Sequence, residues 1–201
     1  MRETIRGGEF DPLEYETAAR AVVLVEGISD QVALETLAAR RDRDLERERV
    51  AVVPIGGAQA IGRFLNLYGP RGLDVRLAGL CDAAEAREFR RGLERAGFGA
   101  SLTDEGMARL GFYVCVADLE DELIRALGAD SVEEIVREHG DLGRFRTLQK
   151  QPEWRGRPKH AQLRRFMGSG GRRKILYARF LVEALDLDRV PRPLDGVLSS
   201  V

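Results

Sequence analysis

The apolar run Val22–Val25 constrains the fold of this chain more than any other stretch of its sequence. Three of its four residues are β-branched and none is polar, which predicts a strand that is buried on both faces, as in parallel sheets covered by helices. Glu26 and Gly27 follow the run, and apolar residues recur at helical spacing from Asp30 onward. Strand, turn and helix in this order place Glu26 at the carboxyl end of a parallel strand, where open α/β sheets bind their ligands.

The same alternation continues along the chain, with further strands predicted at 50–55, 75–81 and 112–116, each followed by a helical pattern. We therefore predict an α/β protein with a Rossmann-like central sheet, mostly parallel, of about four strands flanked by helices. The predicted division is a lead-in over residues 1–20, a core over 21–130 and a helical extension over 131–201. The extension contains a basic segment at 150–174 and ends in a C-terminal tail after Val190.

Acidic residues stand at three of the predicted strand ends. They are Glu26 with Asp30, Asp82 with Glu85, and Asp118 with Glu120. Local roles are open for some of them, because a carboxylate near a helix N-terminus favours the helix dipole and an Asp can cap a helix. Such a role does not cover Glu120. Clustered carboxylates suit Mg²⁺ or Mn²⁺, whereas two cysteines in apolar runs and two separated histidines predict no zinc site.

Glycines mark the turns beside these acids. Gly27 and the pair Gly56–Gly57 follow the first two strands, and glycine adopts backbone angles that are closed to other residues. The spacing from Gly57 to Gly62 resembles a phosphate-binding loop, but the Lys and the Ser or Thr of that loop are missing, so we predict no bound nucleotide. Tight turns explain these glycines, and contact of their backbone N–H groups with a substrate phosphate stays open.

The segment 150–174 is strongly basic, although the formal net charge of the chain is only −1. It predicts a local nucleic-acid-binding surface, in which an exposed Trp154 would stack on a base. The residues assigned to phosphate contact are Arg155, Arg157, Lys159, Arg172 and Arg173. A solvated charge run around a core tryptophan is the alternative. Lys174 opens the last long helix against the dipole preference, which suggests that its charge serves another purpose.

No apolar run is long enough to span a bilayer, and the first eight residues are too polar for a signal peptide. The sequence therefore predicts a cytoplasmic protein that does not interact with membranes.

Five short motifs, in order and spacing, resemble a TOPRIM domain, and within that superfamily the nuclease domain of the OLD family. They are Val25–Asp30, Pro54–Gly57, Leu80–Asp82, Asp118–Glu120 and the late Lys174. The resemblance implies an endonuclease that uses two Mg²⁺ or Mn²⁺ ions to hydrolyse nucleic acid, with DNA as the expected substrate. It assigns Glu26, Asp30, Asp82, Asp118 and Glu120 to metal, and Glu26 and Lys174 to catalysis.

Two features depart from the family pattern. TOPRIM domains carry an Asp-x-Asp motif, whereas this chain reads Asp82-Ala83-Ala84 with Glu85 one place later, which makes Glu85 a further candidate ligand. OLD nucleases usually carry an ABC-type ATPase domain before the TOPRIM region, and no Walker motif is present. The chain is therefore expected to be the TOPRIM part alone, and both an ATPase acting in trans and an oligomer stay open.

Two other classes of function compete with the nuclease. A non-catalytic TOPRIM-fold module that binds nucleic acid or assembles with other proteins would tolerate the loss of a ligand at Ala84. A receiver-like regulator phosphorylated on Asp82 is disfavoured, because its lysine would follow a late strand, whereas Lys174 opens a helix.

Overall fold

The computed structural model describes residues 19–201, which form a parallel sheet surrounded by helices. The predicted lead-in, apart from its last two residues, lies outside the described part. The strands are β1 (Ala21–Val25), β2 (Val50–Pro54), β3 (Arg76–Cys81) and β4 (Phe112–Val114). The helices are α1 (Ile28–Arg40), α2 (Ile61–Tyr68), α3 (Ala86–Ala96), α4 (Asp104–Arg109), α5 (Leu119–Leu127), α6 (Ala129–Glu138), α7 (Leu142–Lys150), α8 (Lys159–Met167), α9 (Gly171–Ala184) and α10 (Arg192–Ser199).

The sheet has the order β2-β1-β3-β4, and all its pairs are parallel. The chain moves from β1 outward to β2 and then crosses to the opposite side of β1 to form β3. Ligand crevices of open α/β sheets form where the strand order reverses in this way, which here is between the ends of β1 and β3. Val25 lies opposite Leu80, so Glu26 and Asp82 leave these two strands side by side. The predicted α/β class with a four-stranded parallel sheet is confirmed.

Strand β1 is buried along its whole length because helices cover both faces of the sheet. Val23 and Val25 point into a core formed with α1 and the C-terminal helices, which includes Leu34, Leu181 and Leu198. Val22 and Leu24 point into the opposite core with α2 and α3, which includes Leu65 and Phe89. Two-sided burial is the reason for the unbroken apolar run.

The residues after 130 pack back onto the sheet unit, with α9 against α1 and α10 against β3 and β4. The tail predicted after Val190 is wrong, because residues 192–199 form α10. Its residues Leu194, Val197 and Leu198 recur at helical spacing and are buried. A helix over these residues hides apolar area that a tail would leave in water.

Strand β4 is two residues shorter than predicted. The Val116 side chain is 71% exposed, and its backbone N–H donates to the carboxylate of Glu122 at 2.7 Å instead of joining the sheet. Over the described range 19–201, none of the helices combines the length with the apolar character that crossing a membrane requires.

Candidate metal centre

The carboxyl ends of β1 and β3 bring Glu26 and Asp82 together. The backbone N–H of Asp82 donates to Glu26 Oε1 at 2.8 Å, which fixes the glutamate against the neighbouring strand end. Glu85 lies in the turn before α3, and its backbone N–H donates to the Asp82 carbonyl at 3.1 Å. One carboxylate oxygen from each of the three acids lies within 4.8 Å of those of the other two. The fold thus brings together three of the acids that the sequence indicated as candidate ligands.

Two further predicted acids are buried next to this group. Asp30 is 7% exposed, at the start of α1, and its Oδ2 accepts the N–H of Gly27 at 3.0 Å. Glu120 is 5% exposed, in the first turn of α5, and its Oε1 has no hydrogen-bond partner within residues 19–201. A buried carboxylate oxygen without a partner is costly unless a cation or a proton compensates it.

Lys174 is the cation that faces these acids. Its Nζ lies 3.6 Å from Glu120 Oε1, a distance at which the two charges attract but form no hydrogen bond. Burial, which favours the neutral amine, is outweighed by the surrounding carboxylates, so the pKa of Lys174 is raised. The lysine is therefore charged at neutral pH, although it stands at the N-terminus of α9.

The acids repel one another and are partly removed from water. Burial, together with the charges of Glu26 and Asp30, raises the pKa of Asp82 to about 8. Burial is also the first cause of the raised pKa of Glu26 and of Glu120, and the attraction of Lys174 opposes it in both. Carboxyl groups that are held near one another despite this repulsion are candidate ligands for a cation.

Asp118 occupies the rim of the site and is already engaged by the protein. Its Oδ1 caps α5 by accepting the N–H of Asp121 at 2.8 Å, and its Oδ2 accepts from Arg164 Nε at 2.7 Å. The capping role is therefore present, as the sequence allowed. Arg164, on α8, was not among the predicted site residues. No sequence signal pointed to it, because its contact with Asp118 depends on how α8 packs against α5.

The turn glycines have different roles. Gly27 has an extended backbone with φ −148°, so the unusual angles expected there are wrong, and any residue could adopt this conformation. Gly56 and Gly57 do require glycine, with φ of +75° and +112°. Their N–H groups both donate to the Glu26 carbonyl at 3.2 Å, so they tie the second turn to the end of β1.

The predicted nucleic-acid-binding residues are dispersed around the extension. Arg155 and Arg157 are exposed, and their guanidinium groups donate to backbone carbonyls, while Arg172 is exposed at the start of α9. Lys159 forms ion pairs with Asp130 at 2.6 Å and Glu133 at 2.9 Å. Arg173 lies over the Phe166 ring and donates to Ser169. Three of the five therefore present charge to solvent without an ionic partner within residues 19–201.

The architecture is that of an α/β domain with acids at the ends of its parallel strands. Residues 19–83, which contain Glu26, Asp30, Gly56, Gly57 and Asp82, match the family model described as overcoming lysogenization defect protein-like, TOPRIM domain. Over residues 19–83 the chain is therefore similar to an OLD-like TOPRIM domain, and the predicted resemblance is confirmed. Asp118, Glu120 and Lys174 lie outside the matched segment.

Solved structures with the same fold are C-terminal regions of OLD proteins. The one from Burkholderia pseudomallei is 19% identical with a TM-score of 0.67, and the similarity covers 90% of this chain and 96% of that chain. A structure of the Xanthomonas campestris pv. campestris protein is 21% identical with a TM-score of 0.68, covering 91% and 92%. None of the curated proteins compared with the chain matches it.

Proposed function

We propose that this chain is a divalent-metal-dependent endonuclease that hydrolyses phosphodiester bonds of nucleic acid, with DNA as its substrate. The observation that carries the proposal is the convergence of Glu26, Asp82 and Glu85 within 4.8 Å at the switch point of the sheet. Glu120 is buried beside them, and its Oε1 accepts no hydrogen bond within residues 19–201. These are oxygen donors with a surplus of negative charge, the donor set that hard divalent cations prefer.

The residues present fit a Mg²⁺ or Mn²⁺ site. Glu26, Asp82 and Glu85 would hold one ion, and Asp30, Glu120 and Asp118 are the proposed ligands of a second. When bound, such ions lower the pKa of a water and neutralise charge on the scissile phosphate and leaving oxygen. Glu120 Oε1 supports this assignment. Within residues 19–201 it accepts no hydrogen bond and the Lys174 ammonium stays 3.6 Å away, so a bound ion would compensate its charge directly.

The protein groups have separate tasks in this proposal. The Asp82 amide orients Glu26 through a fixed hydrogen bond, so the carboxylate need not reorganise when substrate arrives. Lys174, charged and 3.6 Å from Glu120, attracts the scissile phosphate and stabilises negative charge that develops on it. Glu26 and Lys174 are therefore the proposed catalytic residues.

The finer parts of the proposal concern partners and location. Arg155, Arg157 and Arg172 are the exposed members of the predicted basic set and are proposed to contact the phosphate backbone, together with Lys159 and Arg173. The proposal also includes a division of the chain into a core and a helical extension at residue 130, and a cytoplasmic location. It further includes an ABC-type ATPase that acts in trans, and it leaves oligomerisation open.

The test is incubation of the purified protein with supercoiled plasmid in Mn²⁺, Mg²⁺ or EDTA. Nicking or cutting is expected with metal and not with EDTA, and Glu26→Ala and Asp82→Ala should abolish it while the proteins stay folded. Asp188→Asn removes an exposed acid away from the site and is the matched control. Equal cutting in EDTA would refute the proposal.

A non-catalytic nucleic-acid-binding or assembly module is the second candidate. It is favoured by Ala84, which stands where TOPRIM domains carry a second aspartate. Calorimetric titration with Mn²⁺ separates the two functions: the nuclease binds the ion and loses that heat in Asp82→Ala, whereas a degenerate module shows no saturable binding and no cutting.

A further inference from the structure

A second recess lies directly beside the metal centre, on the other side of Asp118. It has a volume of about 330 Å³ and is lined by Asp118, Trp154, Ala161, Arg164, Arg165 and Gly168. Ala161 and Gly168 have almost no side chain, so they leave the recess open between the indole and the two arginines. Asp118 is thus the wall that the recess shares with the acidic site.

The backbone of Trp154 is fixed at this recess by hydrogen bonds, and its ring packs against the core. Its ring is half-buried against the core, its backbone N–H donates to the Gln151 carbonyl at 3.0 Å, and its backbone carbonyl accepts from Gln162 Nε2 at 2.8 Å. Gln162 is itself buried and accepts from Gln149 at 2.8 Å. An aromatic ring that is already fixed loses little conformational freedom when a ligand stacks on it.

The positive charge at the recess comes from two arginines, of which one is hydrogen-bonded to an acid and the other is available to a ligand. Arg164 is committed to Asp118 through the 2.7 Å hydrogen bond of its Nε. Arg165 is exposed and has no ionic or hydrogen-bonding partner within residues 19–201. A fixed aromatic face beside an available guanidinium is the combination that binds a nucleobase together with its adjoining phosphate.

We infer that this recess binds an unpaired nucleobase of the strand whose phosphate lies at the metal centre. The inference rests on the proposed function and extends it, because it defines the substrate as a strand that is locally single-stranded, frayed or ending near the cut. A base inside an intact duplex is stacked on both faces and cannot present one to Trp154. The basic residues would then hold the backbone, while Trp154 selects for a free base.

Trp154 is the single tryptophan of the chain, so its fluorescence reports on this recess alone. The full chain, in EDTA to prevent cutting, is titrated with a single-stranded DNA oligonucleotide, an RNA strand of the same sequence, a relaxed closed-circular duplex that has no ends, and an abasic strand. We expect quenching by the DNA strand and none by the duplex or the abasic strand; the RNA arm shows whether the sugar matters. Equal quenching by the abasic strand, or binding without quenching, would overturn the inference.

Variants give a second measurement through the anisotropy of labelled oligonucleotides. Stacking on an aromatic ring is worth about 1–3 kcal/mol per base, so Trp154→Ala should weaken single-strand binding roughly 5- to 150-fold and leave abasic-strand binding unchanged. Trp154→Phe keeps a stacking ring and the core packing and should retain most of the affinity. Arg165→Gln, an exposed change, should weaken binding of both strands, and Arg109→Gln on α4 is its matched control.

The outcomes separate this inference from the nuclease proposal. Plasmid cutting together with unchanged Trp154 fluorescence would refute the base-binding recess and leave the nuclease standing. Quenching by single strands without any metal-dependent cutting would support the recess and refute the nuclease. An equal loss of affinity for single and abasic strands in Trp154→Ala, with Trp154→Phe affected alike, would show that the tryptophan is only structural.

Discussion

Replacing Asp82 by asparagine should stabilise the metal-free protein while removing its response to metal. The substitution keeps the shape of the side chain and removes its charge. Asp82 stands beside Glu26 and Glu85, with carboxylate oxygens within 4.8 Å. Burial, together with the charges of Glu26 and Asp30, raises its pKa to about 8. Without a cation, the folded state therefore carries a cost that the unfolded chain does not.

The magnitude follows from the spacing of the acids. Two unit charges at 4.8 Å interact by roughly 3.5 kcal/mol at an effective dielectric constant of about 20. Partial exposure of the three acids and the attraction of Asp82 to Lys174 reduce this repulsion. We therefore expect a net gain on the order of 1–3 kcal/mol in the free energy of unfolding, or a rise in Tm of roughly 2–12 °C.

The assay is urea denaturation at pH 8, first in EDTA and then with excess Mn²⁺. Asp82→Asn should unfold at higher urea than the parent in EDTA, and the stabilisation by Mn²⁺ that the parent shows should be lost. Asp188→Asn, an exposed acid, should change stability by less than about 0.5 kcal/mol in both conditions. If Asp82→Asn were the less stable protein in EDTA, the Asp82 carboxyl would be a structural hydrogen-bonding group and the metal-site reasoning would fail.

Three further outcomes are expected. Lys174→Met removes the cation 3.6 Å from Glu120. At pH 8 in EDTA this should lower the free energy of unfolding by about 1–3 kcal/mol, and at pH 5 the decrease should be smaller. An unchanged urea midpoint would contradict the pairing of Lys174 with Glu120. Mn²⁺ should bind and support cutting better than Mg²⁺, because Mg²⁺ demands a more complete ligand set. Calorimetry should show weaker Mn²⁺ binding for Glu85→Ala and stronger Mg²⁺ binding for Ala84→Asp. Identical binding of Mn²⁺ and Mg²⁺ that neither substitution changes would show that this turn does not belong to the site. In EDTA the parent protein should lose stability as the pH rises from about 5 to about 8. The reason is that Asp82 in the folded protein, with a pKa raised from 3.8 to about 8, retains a proton that the unfolded chain has released. A free energy of unfolding that does not change over this pH range would refute the raised pKa.

The sheet was predictable because its central strands leave a strong one-dimensional signal. A strand buried on both faces needs an unbroken apolar run, and Val22–Val25 has one. The edge strand β4 gives a weaker signal. Its last residue depends on Glu122, because the carboxylate of Glu122 accepts a hydrogen bond from the Val116 N–H, which therefore does not pair with the sheet. The C-terminal helix was missed because proline residues at 191 and 193 suggested a tail, whereas proline is well tolerated in the first turn of a helix.

The grouping of the acids was only partly accessible from the sequence. Parallel strands end at one edge, so Glu26 and Asp82 could be expected to meet. The engagement of Asp118 by Arg164 joins residues that are 46 positions apart, and it depends on how α8 packs against α5. The same packing creates the Trp154 recess. Contacts of this kind are decided by tertiary packing, which leaves no periodic trace in the sequence.

The turn after β3 explains how a chain with Ala84 can still present three acids at one point. The N–H of Glu85 donates to the Asp82 carbonyl, which folds the chain back so that residue 85 stands over the strand end. Glutamate is longer than aspartate by one methylene, and its carboxylate reaches to within 4.8 Å of the oxygens of Glu26 and Asp82. Ala84 is exposed in the same turn. A carboxylate displaced by one position along a tight turn can therefore restore the charge that the altered motif lacks. The proposed ligand set accordingly follows from the geometry of the turn and not from the spacing of the motif.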